Sequence, residues 1–189
     1  MITILPYRLA WRADFSAIGV QLREALGDLA LRIDHIGSTS VPGLAAKDII
    51  DIQVTVANLD ALIEQGLERA GYSRLERISR DHVPPGWSGN DGDWTKWFFK
   101  RAADQRPANL HVRVLGRANQ RYPLLFRDYL RAHGSVAAAY AQVKTALSQI
   151  HPNDIDAYYD VKDPVCDIIM GGAEAWAAEV GWKPSDSDC

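Results

Sequence analysis

The chain has 189 residues, 47% hydrophobic and 24% charged, which is enough for one domain with a full core and ordinary for a globular protein. A formal net charge of -3 argues against a non-specific binder of nucleic acid or of anionic membranes. No apolar run approaches the roughly 18 residues of a spanning helix, the start "MITILPYRLAWRADF" lacks the form of a signal peptide, and two cysteines make neither a disulfide framework nor a metal cluster, so a cytoplasmic protein is expected.

In chain order, "WRADFSAIGVQLREAL" places Trp11, Phe15, Ile18, Leu22 and Leu26 at helical spacing, with Gly27 as the stop. "LALRIDHIG" reads as a short strand and "DIIDIQVTV" as a longer one. Asn58 or Asp60 can cap a helix over "LDALIEQGLERAG", which Gly71 ends. Residues 79–93, rich in Pro, Gly, Asp and Asn, form a long loop of the kind that often carries function. "WTKWFFK" and "ANLHVRV", joined by "RAADQRP", predict an antiparallel hairpin.

Past Gly116 the pattern turns helical: "LLFRDYLRAHG", then "SVAAAYAQVKTALSQI" from a Ser cap, then "DPVCDIIMGGAEAWAAEV" capped by Asp160 or Asp163 with Pro164 in its first turn. A single domain is expected over residues 1–182, followed by a disordered tail, "KPSDSDC", over 183–189.

The segment "IDHIGSTSVPGLAAKDIIDIQV" carries the chemistry. Asp51 sits inside an apolar strand, where an unpaired carboxylate would cost several kcal/mol unless cations or donors offset it. Strand alternation puts Asp51 and Gln53 on one face, His35 with Gly37 on one face of the preceding strand, and His111 with Arg113 on one face of "NLHVRV". If these strands are neighbours, His35, Asp51, Gln53 and His111 converge. Gly37, Ser38, Thr39 and Ser40 supply a turn able to cradle phosphate oxygens, and Lys47, Lys96, Lys100 and Arg101 could neutralise them. Lys96 and Lys100 share strand parity with Trp94 and Phe98, so the same face offers aromatic stacking. Plainer readings stand beside these: half-buried strand histidines, an Asp51 that only braces the Ser/Thr turn, and lysines that protect a strand edge.

Gly-Ser followed thirteen positions later by an acid within an apolar strand resembles the signature of the nucleotidyltransferase superfamily, and "HIGSTSVPGLAAKDIIDIQV" is similar to the hallmark of its GrpB branch. "WFFK", "NLHVRV", "FRDYLRAH", "YAQVKTAL" and "DAYYDVKD" follow in the order of that family, some members of which are fused to dephospho-coenzyme A kinase. The resemblance implies an α+β, nucleotidyltransferase-like fold: a mixed, mostly antiparallel sheet flanked by helices, with a helical C-terminal part. It also implies a nucleotide or other phosphorylated ligand, a divalent metal (Mg, Mn or Zn) and nucleotidyl transfer with Asp51 as a catalytic carboxylate.

The match is incomplete, because Gln53 stands at the second carboxylate position and His111 near the third. The metal set implied here is therefore Asp51, His35, His111 and Gln53, which suits Mn or Zn better than Mg. A catalytically silent binding module of the same fold is the alternative, as is a His/Asp metal enzyme of other chemistry. Asp48 faces away from Asp51 and does not replace the missing acid. Arg127, Arg131, Lys144 and Lys162 resemble recurrent family positions on helix faces, which more often form surface ion pairs.

Overall fold

A computed structural model describes all 189 residues. Its centre is a five-stranded sheet made of β1 (Arg32–Ile36), β2 (Ile50–Val56), β3 (Tyr72–Arg74), β4 (Trp97–Arg101) and β5 (Ala108–Val114), in the order β1-β2-β5-β4-β3. The β2/β5 pair is parallel and the other three are antiparallel, so the sheet is mixed and mostly antiparallel, as expected. Because β3, β4 and β5 are successive neighbours, the order requires a single crossover, from β2 to the far edge at β3, and residues 57–71 carry it.

Two helices follow their sequence signals closely. The first, α1 (Ala10–Leu26), buries Trp11, Phe15, Ile18, Leu22 and Leu26; the second, α2 (Ala61–Arg69), is capped by the Asp60 carboxylate, which accepts from Leu62 N. Both helices contribute to one apolar core with Ile50, Ile52, Val54 and Val56 of β2 and Leu110 and Val112 of β5. Every second residue of these strands therefore turns away from that core, and the opposite face of the sheet carries Asp51, Gln53, Thr55, Asn109, His111 and Arg113.

Three helices form the C-terminal part: α3 (Ala118–Ala132), α4 (Gly134–Ile150) and α5 (Ile155–Val180). They depart from the expected bounds in physical detail. Pro123 lies inside α3, and α4 follows His133 without a serine side-chain cap. The last helix begins eight residues before Asp163: Asp154 caps it, accepting from Ala157 N, so Pro164 sits in its interior. A proline there removes one backbone bond yet leaves Tyr158, Tyr159 and Lys162 on the same helix as Cys166.

The tail expected to be disordered packs along the free edge of β1. Ile33 N donates to Ser187 Oγ, Cys189 N to Ile33 O, and His35 N to the Asp188 carboxylate at 2.9 Å, while Asp188 also pairs with the buried Arg127 at 2.7 Å. An edge strand's unpaired amides and a fully buried guanidinium both require partners, which explains why these polar residues are held.

Candidate functional site

Between the polar face of the sheet and the three C-terminal helices lies a cavity of about 590 Å³. Its floor is Asp51 of β2, Asn109, His111 and Arg113 of β5, and Lys96 and Phe98 at the start of β4. Its roof is Tyr122 and Phe126 of α3, Tyr140 and Lys144 of α4, and Tyr158, Tyr159, Lys162 and Cys166 of α5. Gly37, Ser38 and Thr39 close one end; Arg80, Asp81, His82 and Trp94, from the long loop and its end, line another side.

The parallel β2/β5 pairing sets Asp51 abreast of Asn109 and Gln53 abreast of His111. Asn109 Nδ2 donates to Asp51 Oδ1 at 2.8 Å, and His111 Nε2 lies 3.9 Å from the same oxygen. Burial pushes the Asp51 carboxyl up, but the His111 imidazole, the Asn109 amide and the Lys47 charge outweigh it and hold it below its ordinary value. Burial, with Lys96 and Arg113 beside it, pushes His111 down to about 4, so the ring is neutral near pH 7.

Asp81 enters from the loop and anchors a buried network that the sequence did not reveal. Its carboxylate accepts from Lys96 at 2.6 Å, from Arg113 at 2.8 and 2.9 Å, and from Asn119 at 3.0 Å. Burial opposes its charge, yet Arg113 and Lys96 hold it far below the usual carboxylate range. Arg113 also donates to Gln53 Oε1 at 2.7 Å, which ties this network to β2.

The cations at the other end are differently placed. Lys144, only 3% exposed, donates to Ser38 Oγ and to Ala45 O, both at 2.6 Å, and burial lowers it to about 7. Lys47 donates to Tyr159 Oη at 2.9 Å and lies against the Tyr158 and Tyr159 rings. Neither forms a carboxylate ion pair, whereas Lys162 pairs with Asp163 at 2.7 Å. From Lys144 an aromatic wall runs along the roof: Lys144 lies over Tyr140, Tyr140 meets Phe126, Phe126 stacks on Tyr122, and Tyr122 meets Trp94.

Of the residues singled out from sequence, Gly37, Ser38, Thr39, Lys47, Lys96, Asp51 and His111 line the cavity. His35 does not. In the antiparallel β1/β2 register it opposes Ile52 rather than Asp51, so it points under α1, stacks on Phe15 at 4.7 Å and bonds Thr39 Oγ1 at 2.9 Å. Gln53 is on the expected face, but both ends of its amide are engaged, by Arg113 and by Gln120 O. Ser40 turns back to Gly37 O, and Lys100 is exposed at the outer end of β4, outside the cavity lining. Asp48 bonds Trp11 and Arg106 away from the site, as its parity predicts.

Gly37 has φ +69°, and a Cβ there would lie 2.6 Å from Asp51 Oδ2, so the glycine admits the aspartate itself. Asn109, Asp81, Lys144 and the four roof tyrosines are not marked as site residues by the sequence pattern. The helix-face pattern assigns Lys144 and Lys162 to surface ion pairs; both line the cavity, and of the two Lys162 has such a partner, Asp163.

The expected metal set does not assemble. No three His, Cys, Asp or Glu side chains form a metal-holding group, because His35 is on the wrong face, Gln53 is engaged and the residue abreast of Asp51 on β5 is the amide Asn109.

Fold and cavity together define an α+β protein with a cavity lined by cationic and aromatic side chains, and the comparisons place it in a family. GrpB protein sequences match residues 1–171, and the chain belongs to the GrpB family. It is 40% identical over 97% of its length to a dephospho-CoA kinase of Mycolicibacterium paratuberculosis, of which that match covers 48%. The chain thus spans about half the length of the first curated relatives it matches. It is 35% identical over 92% of its length to the UPF0157 protein BH1888 of Halalkalibacterium halodurans, covering 83% of that protein. The crystal structure of the conserved protein GrpB from Enterococcus faecalis superposes at TM-score 0.75 with 31% identity, over 92% of this chain and 99% of that one. No helix is long and apolar enough to cross a membrane.

Proposed function

We propose that this protein binds a phosphorylated ligand of nucleotide size in the cavity between sheet and helices. The phosphates sit against Ser38, Lys47 and Lys144, and the planar part of the ligand lies along Phe126, Tyr122 and Trp94. The observation that carries this reading is the pair of cavity cations without carboxylate partners, Lys47 and Lys144, set beside the Gly37-Ser38 turn. A buried ammonium group without a counter-ion, as at Lys144, is costly, and an anionic ligand offsets that cost. An aromatic wall leading away from the cations suits a base, which stacks with little dependence on sequence of donors and acceptors.

The donor set favours binding over nucleotidyl transfer. Asp51 is the one superfamily carboxylate in place, and the other cavity acid of the floor network, Asp81, is neutralised by Lys96 and Arg113. Relatives named dephospho-CoA kinase make adenosine phosphates and dephospho-CoA the first probes.

Thermal unfolding with ATP, ADP, dephospho-CoA and pyrophosphate tests the reading. A ligand at a hundred times its dissociation constant stabilises by about 2.7 kcal/mol, which raises the Tm by several degrees. Lys144→Met should keep the fold and lose most of that shift. A wild-type shift that persists in Lys144→Met and in Lys47→Ala would place the ligand elsewhere.

A further inference from the structure

The side chains nearest Asp51 have already committed the lone pairs a metal would need. His111 Nδ1 faces two donors, Lys96 Nζ at 3.3 Å and Arg113 Nη2 at 3.2 Å, so the neutral ring carries its proton on Nε2, toward Asp51. That nitrogen has no lone pair to offer. Gln53 gives its carbonyl to Arg113, and Asp81 gives both oxygens to cations. Asp51 remains, with Asn109 donating into one of its oxygens and the Lys47 charge acting on it. A hard divalent ion prefers several anionic oxygens, and here it would meet one carboxylate among lysines.

We propose that the cavity takes the phosphates of its ligand without a divalent metal, Lys47 and Lys144 supplying the positive charge that a metal would otherwise bring. This rests on the phosphate site proposed above. Lys144 is held in place by Ser38 Oγ and Ala45 O, and the hydroxyl of Tyr159 positions Lys47, so both ammonium groups are set before a ligand arrives. Preorganised cations act on phosphate oxygens as a bound ion does, with no metal affinity to maintain. Asp51 then lies beside the phosphates as a like charge, a cost to binding rather than a ligand anchor.

Titration of the whole protein with pyrophosphate and with ADP, first in EDTA and then in excess Mg²⁺ or Mn²⁺, tests this. The affinity in EDTA should equal or exceed that with metal, since a metal-bound phosphate offers the lysines less charge. Asp51→Asn, checked for folding by circular dichroism, should bind the same probes as tightly or several-fold more tightly. Tightening by metal of more than about twofold, or weaker binding in folded Asp51→Asn, overturns metal independence and leaves the phosphate site standing. Binding of neither probe under any condition overturns the phosphate site and this inference with it. Should Asp51→Asn not fold, the wild-type titrations decide alone.

Discussion

At Gly37 two constraints meet: a backbone at φ +69°, where L side chains are strained, and an aspartate oxygen 2.6 Å from where a Cβ would sit. Gly37→Ala is expected to cost roughly 1–3 kcal/mol for the backbone conformation, and more because Asp51 must move. Urea unfolding of the variant measures it; a loss below that range would mean the turn can relax without disturbing Asp51. Asp51 was legible in the sequence because an acid in an apolar strand is costly unless paired. Its partner Asn109 was not, since an Asn at the start of a strand is unremarkable until register sets it beside an acid. His35 shows the same limit from the other side: parity assigns faces within one strand, but only the pairing of His35 with Ile52 decides which face meets which helix. Asp81 sits in a Pro- and Gly-rich loop with no period to place it, so nothing local marked it as the hub for Lys96, Arg113 and Asn119.

At the scale of elements, α1, α2, β2 and the β4/β5 hairpin followed from apolar period and caps, whereas β3 spans only Tyr72–Arg74 and is held by pairing to β4. Short edge strands owe their form to neighbours more than to their own residues. The tail is the same case carried further. Its Ser187 and Asp188 accept from β1 amides, its Cys189 N donates to Ile33 O, and Asp188 also meets the guanidinium of Arg127, which is 1% exposed. Removing residues 183–189 leaves Arg127 with Asp128 as its remaining carboxylate and β1 with an open edge. The expected loss is on the order of 1–3 kcal/mol, and the amides of Ile33 and His35 should exchange faster with solvent. Asp188→Asn, which keeps the chain length, should reproduce part of the loss because it removes only the charge. Unchanged exchange at both amides would show that the tail contributes nothing to holding β1.

For the molecule as a whole, the sheet separates an apolar core beneath α1 and α2 from a polar cavity beneath α3, α4 and α5, and titratable groups are buried on both sides. His35 on the core side and His111 on the cavity side are each lowered from 6.5 to about 4, burial being the main cause. Their stabilising effect is fully present above pH 6.5 and is lost as pH falls through 4, because the unfolded chain takes up protons first. At full effect each shift is worth about 3 kcal/mol, so acid unfolding should set in below pH 6.

Lys144 works in the opposite range. Burial holds it at about 7 against an ordinary 10.5, with Lys47, Lys162, Cys166 and Asp51 acting on it and Ser38, Ala45 and Tyr140 around its ammonium group. The unfolded chain binds its proton more readily between those values, so the ligand-free protein should gain stability as pH rises from 7 toward 10.5. Lys96, also lowered chiefly by burial, adds in the same direction, and Lys144→Met separates the two contributions. A phosphate beside Lys144 favours its charged form and reverses the trend for the complex: binding takes up a proton, and ligand stabilisation shrinks above pH 7. Calorimetry of pyrophosphate binding in two buffers of different ionisation enthalpy near pH 8 should therefore report proton uptake in the wild type and little in Lys144→Met. Equal uptake in both proteins would assign the proton to another group and remove Lys144 from the phosphate contact.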